Sequence, residues 1–116
     1  MTKKNNLIDI IVEAVLSKKG KDIVVMDLND LSVFADYFVI ATASSAPQAN
    51  ALIDAIDEAV KHAGIKGIRP QGDNHSPWIL FDFGDTIVHI FLEEARDFYQ
   101  LERLWSDAKI RRIAED

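Results

Sequence analysis

The chain has 116 residues, 48% of them hydrophobic and 28% charged, with 13 Lys+Arg against 19 Asp+Glu and a net charge of -6. That length fits one ordinary domain and that composition a folded one, because disordered chains carry too little apolar surface to collapse. The absence of cysteine excludes disulfides, thiolate nucleophiles and thiolate metal sites. The acidic balance disfavours nucleic acid as a direct partner, since phosphate binding runs on Lys and Arg.

The first stretch, MTKKNNLIDIIVEAVLSKKG, places two lysines before an apolar run. Asp9 and Glu13 interrupt that run and no small-residue cleavage site follows, so it reads as an amphipathic helix rather than a signal peptide. Leu7, Ile8, Ile11, Ala14 and Val15 fall at helical spacing, and Gly20 is a stop signal, which predicts a helix over 5–19. DIVVMDL (22–28) predicts a strand. NDLSVFAD (29–36) is a connection, and YFVIAT (37–42) is a second strand, apolar throughout and so expected to be buried on both faces.

In SSAPQANALIDAIDEAVKHAG, Ser45 and Gln48 have capping-box spacing and Pro47 is tolerated in the first turn. Leu52, Ile53, Ile56 and Val60 continue an apolar stripe that Gly64 closes. IKGIR (65–69) predicts a weaker strand, and PQGDNHSP (70–77) a loop. WILFDFGDTIVHIF (78–91) predicts two strands around a Gly84-Asp85 turn, since Gly first suits a two-residue type II′ hairpin. EEARDFYQLERLW (93–105) predicts a final helix with its acids first. Residues 107–116 show no clear period and are expected to fray. No segment approaches the roughly 20 apolar residues of a membrane span. The order α-β-β-α-β-β-β-α predicts a single α/β or α+β domain over 1–116, one mixed sheet flanked by helices.

With Gly84 and Asp85 as the turn, Phe83 lies opposite Thr86, Phe81 opposite Val88 and Ile79 opposite Ile90, an apolar face that must be core. The other face pairs Asp82 with Ile87, Leu80 with His89 and Trp78 with Phe91. Asp82 and His89 are diagonal neighbours there. Asp85 suits a turn better than catalysis. The second face has the composition of a protein-binding patch. It equally fits a face covered by a helix of the same chain, with Asp82 and His89 as a structural pair. On the final helix, Tyr99 either extends the patch or lies on a solvated stripe with Arg96 and Arg103.

Enzyme readings find little. There is no G-x-S-x-G, no G-x-G-x-x-G and no P-loop, and Ser44, Ser45 and Ser76 read as caps and loop residues. His62 and His75 are isolated, and Asp82 with His89 supplies only two candidate metal ligands. Asp82 stands alone on its strand, without the acidic partner and Gly-Ser grip of nucleotidyl transfer.

Three motifs taken together carry a resemblance: D-Y-F-V-I-A-T-A-S-S (36–45) with Gln48 following, W-I-L-F-D-F-G-D-T-I-V-H-I-F (78–91) and R-D-F-Y-Q-L-E-R-L-W (96–105). In these the chain resembles the ribosomal silencing factor, or Iojap-like, family, over roughly residues 5 to 106. The loop G-D-N-H-S-P (72–77) is where members of that family vary. The resemblance implies a fold related to nucleotidyltransferases but without their catalytic residues, a non-enzymatic role and no cofactor. It implies binding to the large ribosomal subunit through ribosomal protein L-fourteen. It also implies a steric block to small-subunit joining that represses translation when nutrients are scarce. Mitochondrial and plastid relatives are linked to large-subunit assembly, and members are often homodimers. On this reading Trp78 is the anchor, with Leu80, Asp82, His89 and Tyr99 around it. Asp36 and Tyr37 match a family motif and support the site, or else serve strand entry and core. The expected setting is a bacterial cytoplasm. The alternatives are a nucleotide-binding or nucleotidyltransferase-related domain, a large-subunit assembly factor, or a homodimer that uses the same apolar face on itself.

Overall fold

The computed structural model describes residues 3–28, 36–65, 78–95 and 109–113. Helix α1 spans Lys3–Ser17 and buries Ile8, Ile11, Val12, Ala14 and Val15, while Asp9 and Glu13 stay in solvent. The apolar stripe predicted from spacing is therefore the face that packs. Strands β1 (Lys21–Asp27) and β2 (Tyr37–Ala43) follow, then α2 (Ala46–His62), β3 (Trp78–Asp82), β4 (Thr86–Leu92) and β5 (Lys109–Arg112). They form one mixed sheet in the order β3-β4-β2-β1-β5. β2 and β4 run parallel and the other pairs are antiparallel. This is the α+β architecture expected, with β2 buried along both faces from Val39 to Ala43.

Both helices end in the same way. Gly20 N–H donates to the Val15 carbonyl at 2.9 Å and Lys19 N–H to that of Leu16 at 3.0 Å. At α2, Ile65 N–H donates to Val60 at 2.9 Å and Gly64 N–H to Lys61 at 3.0 Å. Each is a Schellman pair that satisfies carbonyls left over by the last helical turn. In α2 the left-handed residue is Gly64, at φ +81°. In α1 it is Lys19, at φ +63°, and the glycine comes one position later. Gly20 is needed there for space: a Cβ would lie 2.3 Å from Val15 Cγ1. Lys19 thus holds a conformation that L residues enter at a cost. Lys19→Gly is expected to raise stability by about 0.5–1 kcal/mol, the left-handed strain relieved less the extra freedom of the unfolded chain. A urea midpoint that falls would contradict this.

The start of α2 is tied to the end of α1. Ser45 Oγ accepts from Gln48 N–H at 3.2 Å, the predicted cap. The Gln48 amide goes further than a capping box. Its Oε1 accepts from Ser44 N–H and Ser44 Oγ, both at 2.7 Å. Its Nε2 donates to the carbonyls of Lys18 at 3.2 Å and Lys19 at 2.9 Å. One side chain therefore serves the C-terminus of one helix and the N-terminus of the next. Gln48→Ala is expected to cost about 1–2 kcal/mol. A Gln48→Glu variant, which keeps the acceptor and loses both donors, should fall between; equal stability of all three would sink this role.

Several expectations change. Residues 109–112 do not fray: β5 pairs with β1, Met26 opposite Ile110 and Asp27 opposite Lys109, and Ile113 N–H donates to Ile23 at 2.9 Å. Four residues without alternation carry no periodic signal, and their basic composition suits the protected edge of a sheet. β1 starts irregularly, with a register shift between Lys21 and Val24 and Asp22 at φ +49°. The predicted strand at 65–69 lies beyond Ile65, outside the described residues, as do 96–105 of the predicted final helix; residues 93–95 are helical.

The sheet has two buried faces. Ile23, Val25, Val39, Ala41, Ile79, Phe81, Val88 and Ile90 pack under α1 and α2. The opposite face gathers Val24, Met26, Leu28, Ile40, Phe91 and Ala95, with Phe38 and Trp78 half-buried at its margin.

Candidate docking surface

The β3–β4 hairpin has the predicted register: Trp78 opposite Phe91, Leu80 opposite His89 and Asp82 opposite Ile87. Phe83 N–H donates to the Thr86 carbonyl at 2.9 Å, closing the turn, and Gly84 takes φ +88° as its position demands. Alternation then places Trp78, Leu80, Asp82, His89 and Phe91 on the face away from α1 and α2, the face on which Ala95 also packs.

On that face the aromatic groups interlock. Trp78 stacks on Phe91 with ring centroids 5.1 Å apart. Phe38, brought alongside by the parallel β2–β4 pairing, meets His89 edge-on at 4.5 Å. Trp78 Nε1–H donates to His89 Nδ1 at 3.0 Å. That bond requires a lone pair on Nδ1, so the imidazole proton sits on Nε2. His89 is only 3% exposed, and burial lowers its pKa from 6.5 to about 4. The ring is neutral at pH 7. Its Nε2–H is buried and has no hydrogen-bond partner among the described residues, which costs about 1–3 kcal/mol.

Asp82 and His89 share the face but do not pair. Asp82 Oδ1 accepts from Gly84 N–H at 2.8 Å, a local bond that stiffens the turn. The nearer donor two positions away takes the carboxylate, and a buried neutral imidazole offers it no charge. Over the strand, Trp78 and Asp82 lie about 13 Å apart along the backbone.

The remaining predicted residues divide. Asp36 and Tyr37 sit beside the hairpin turn: the Asp85 carbonyl accepts from Asp36 N–H at 2.7 Å and from Tyr37 N–H at 3.1 Å. Asp85 is thus a turn residue that also anchors the start of β2. Tyr37 packs toward the helix-side core, on the face opposite Trp78. Tyr99 lies outside the described residues. Asp27, opposite Tyr37, adds a carboxylate at the same end as Asp36, Asp82 and Asp85. Sequence reasoning missed Phe38 and Asp27, because both join through strand neighbours that no local pattern specifies.

His89 Nδ1 is engaged by Trp78 and its Nε2 is buried. Among the described residues no group of three His, Asp or Glu could hold a metal ion. No described helix is long and apolar enough to cross a membrane.

A family model described as "Ribosomal silencing factor during starvation" matches residues 1–116. The chain belongs to the ribosomal silencing factor family. A ribosomal silencing factor from Halalkalibacterium halodurans is 34% identical over 88% of this chain and 87% of its own. The crystal structure of a Chromobacterium violaceum protein superposes with a TM-score of 0.85 at 31% identity, covering 90% of this chain and 88% of that one. The mouse protein named mitochondrial assembly of ribosomal large subunit protein 1 is 28% identical over 94% of this chain and 51% of its own length. Ribosomal silencing factors are regulatory proteins, and their fold is the one described here.

Proposed function

We propose that this protein binds the large ribosomal subunit through ribosomal protein L-fourteen and, by occupying that position, prevents the small subunit from joining. The observation that carries the reading is the half-buried Trp78, held between Phe91 and His89 beside half-buried Leu80. A rigid aromatic with an apolar neighbour is the usual form of an interface anchor. The chain's charge of -6, with Asp27, Asp36, Asp82 and Asp85 at one end of the sheet, favours a basic protein over rRNA. The mechanism is exclusion: no bond is made or broken, the enzyme readings are set aside, and the place of action is the cytoplasm.

Sucrose-gradient sedimentation of separated subunits tests it. Added protein is expected to co-sediment with large subunits and reduce whole ribosomes. Leu80→Lys, which sets a cation against a basic partner, is expected to weaken that binding at least about tenfold. Unchanged association of subunits at saturating protein would overturn the reading. A second reading, assembly of the large subunit, is favoured by the name of the mouse relative. It predicts binding to immature large subunits in preference to mature ones. A homodimer through the Trp78 face would compete with either, and would show as dimers that large subunits dissociate.

A further inference from the structure

We propose that His89 is the positioning residue for Trp78, its neutral ring accepting the indole N–H and thereby fixing the face that docks. This rests on the docking reading above and assigns within it a role to a residue that never touches the partner. Three observations carry it. Trp78 Nε1 and His89 Nδ1 are 3.0 Å apart, so the indole has one preferred rotation on its Phe91 platform. The imidazole is wedged between Phe38 and Trp78, ring centroids at 4.5 and 5.7 Å. Its other nitrogen is a buried donor without an acceptor among the described residues.

The third observation decides between packing and positioning. If position 89 served only to fill space between Phe38, Trp78 and Leu80, an apolar ring would do so without desolvating an imidazole or stranding an N–H. Histidine is the costlier choice for the core, and the compensation visible on its surroundings is the bond to Trp78. A side chain already fixed loses no rotamer freedom when it enters a partner's pocket. The gain expected from one such side chain is about threefold to tenfold in affinity.

The test uses the full chain and purified large ribosomal subunits. In the free protein, ¹⁵N NMR is expected to show the Nε2–H tautomer of His89 and a Trp78 indole proton protected from exchange. His89→Phe keeps a ring between Phe38 and Phe91 but removes the acceptor. It is expected to expose the Trp78 indole proton and weaken subunit binding about threefold to tenfold. His89→Asn, whose Oδ1 can occupy the place of Nδ1, is expected to restore both. A folded His89→Phe that binds like the wild type overturns the proposal. So does an Nδ1–H tautomer in the wild-type protein, a result that stands even if the variants do not fold. Failure of the wild-type protein to bind large subunits at all would instead remove the docking reading, leaving the tautomer and exchange results to show whether Trp78 is held as described.

Discussion

Trp78→Ala is expected to lower the stability of the free protein by about 3 kcal/mol. The indole stacks on Phe91 and closes the margin of the second core. Complete Trp→Ala truncations in cores cost about 3–5 kcal/mol, and a half-buried ring loses less. Removing it also takes away the donor that His89 Nδ1 accepts from, and that restores part of the cost. For a domain of this size the melting temperature should fall by about 10 °C. Trp78→Phe keeps a ring on Phe91 but loses the N–H and part of the indole's area, so a smaller cost of about 1–2 kcal/mol is expected. Urea unfolding followed by circular dichroism separates the cases. If the alanine variant unfolds within 1 kcal/mol of the wild type, the indole contributes no packing and the described margin is wrong. The size of the effect also explains why Leu80→Lys is the better probe of docking: a destabilised Trp78→Ala would weaken binding for reasons unrelated to contact.

The second large effect is on acid stability. His89 carries a folded pKa of about 4 against 6.5 in the open chain. Between those values the unfolded chain takes up a proton that the folded one refuses. Stability from this residue is therefore fully present above pH 6.5, declines as pH falls towards 4, and changes no further below that. The span corresponds to about 3 kcal/mol. His89→Asn removes the titrating group. Its stability curve should be flatter than the wild-type curve between pH 6.5 and 4, the carboxylates contributing equally to both. Parallel curves across that interval would mean that the imidazole is hydrated in the folded state. Protonation would also place a proton on Nδ1, where Trp78 now donates, so the indole and the charged ring cannot keep their bond.

The hairpin was readable from residues because two constraints coincide there. Alternation of apolar positions fixes the faces, and Gly84-Asp85 fixes the register, so the pairing of Phe81 with Val88 and Leu80 with His89 followed. The helices were readable from their stripes and from Ser45 and Gly64. What escaped is whatever depends on a distant neighbour. β5 has only four residues and exists because β1 offers it an edge. Gln48 looks like half of a capping box, and nothing near it in sequence announces the carbonyls of Lys18 and Lys19. The bond between His89 and Trp78 escaped for a related reason. A diagonal spacing admits Asp82 or Trp78, and the choice is made by Gly84 N–H, which holds the carboxylate. Phe38 entered the site only through the parallel pairing of β2 and β4.

The placement of β5 bears on how the nascent chain matures. β1 begins at Lys21, yet its outer neighbour begins at Lys109. While the chain is being synthesised, β1 can pair with β2 long before anything covers its other rim. An open rim of that kind invites pairing with a second chain. Shortened products ending before Lys109 would keep it open permanently, and are expected to clump where the longer chain stays dispersed. A purification tag fused directly after Ile113 would crowd the same rim, so a spacer there is advisable.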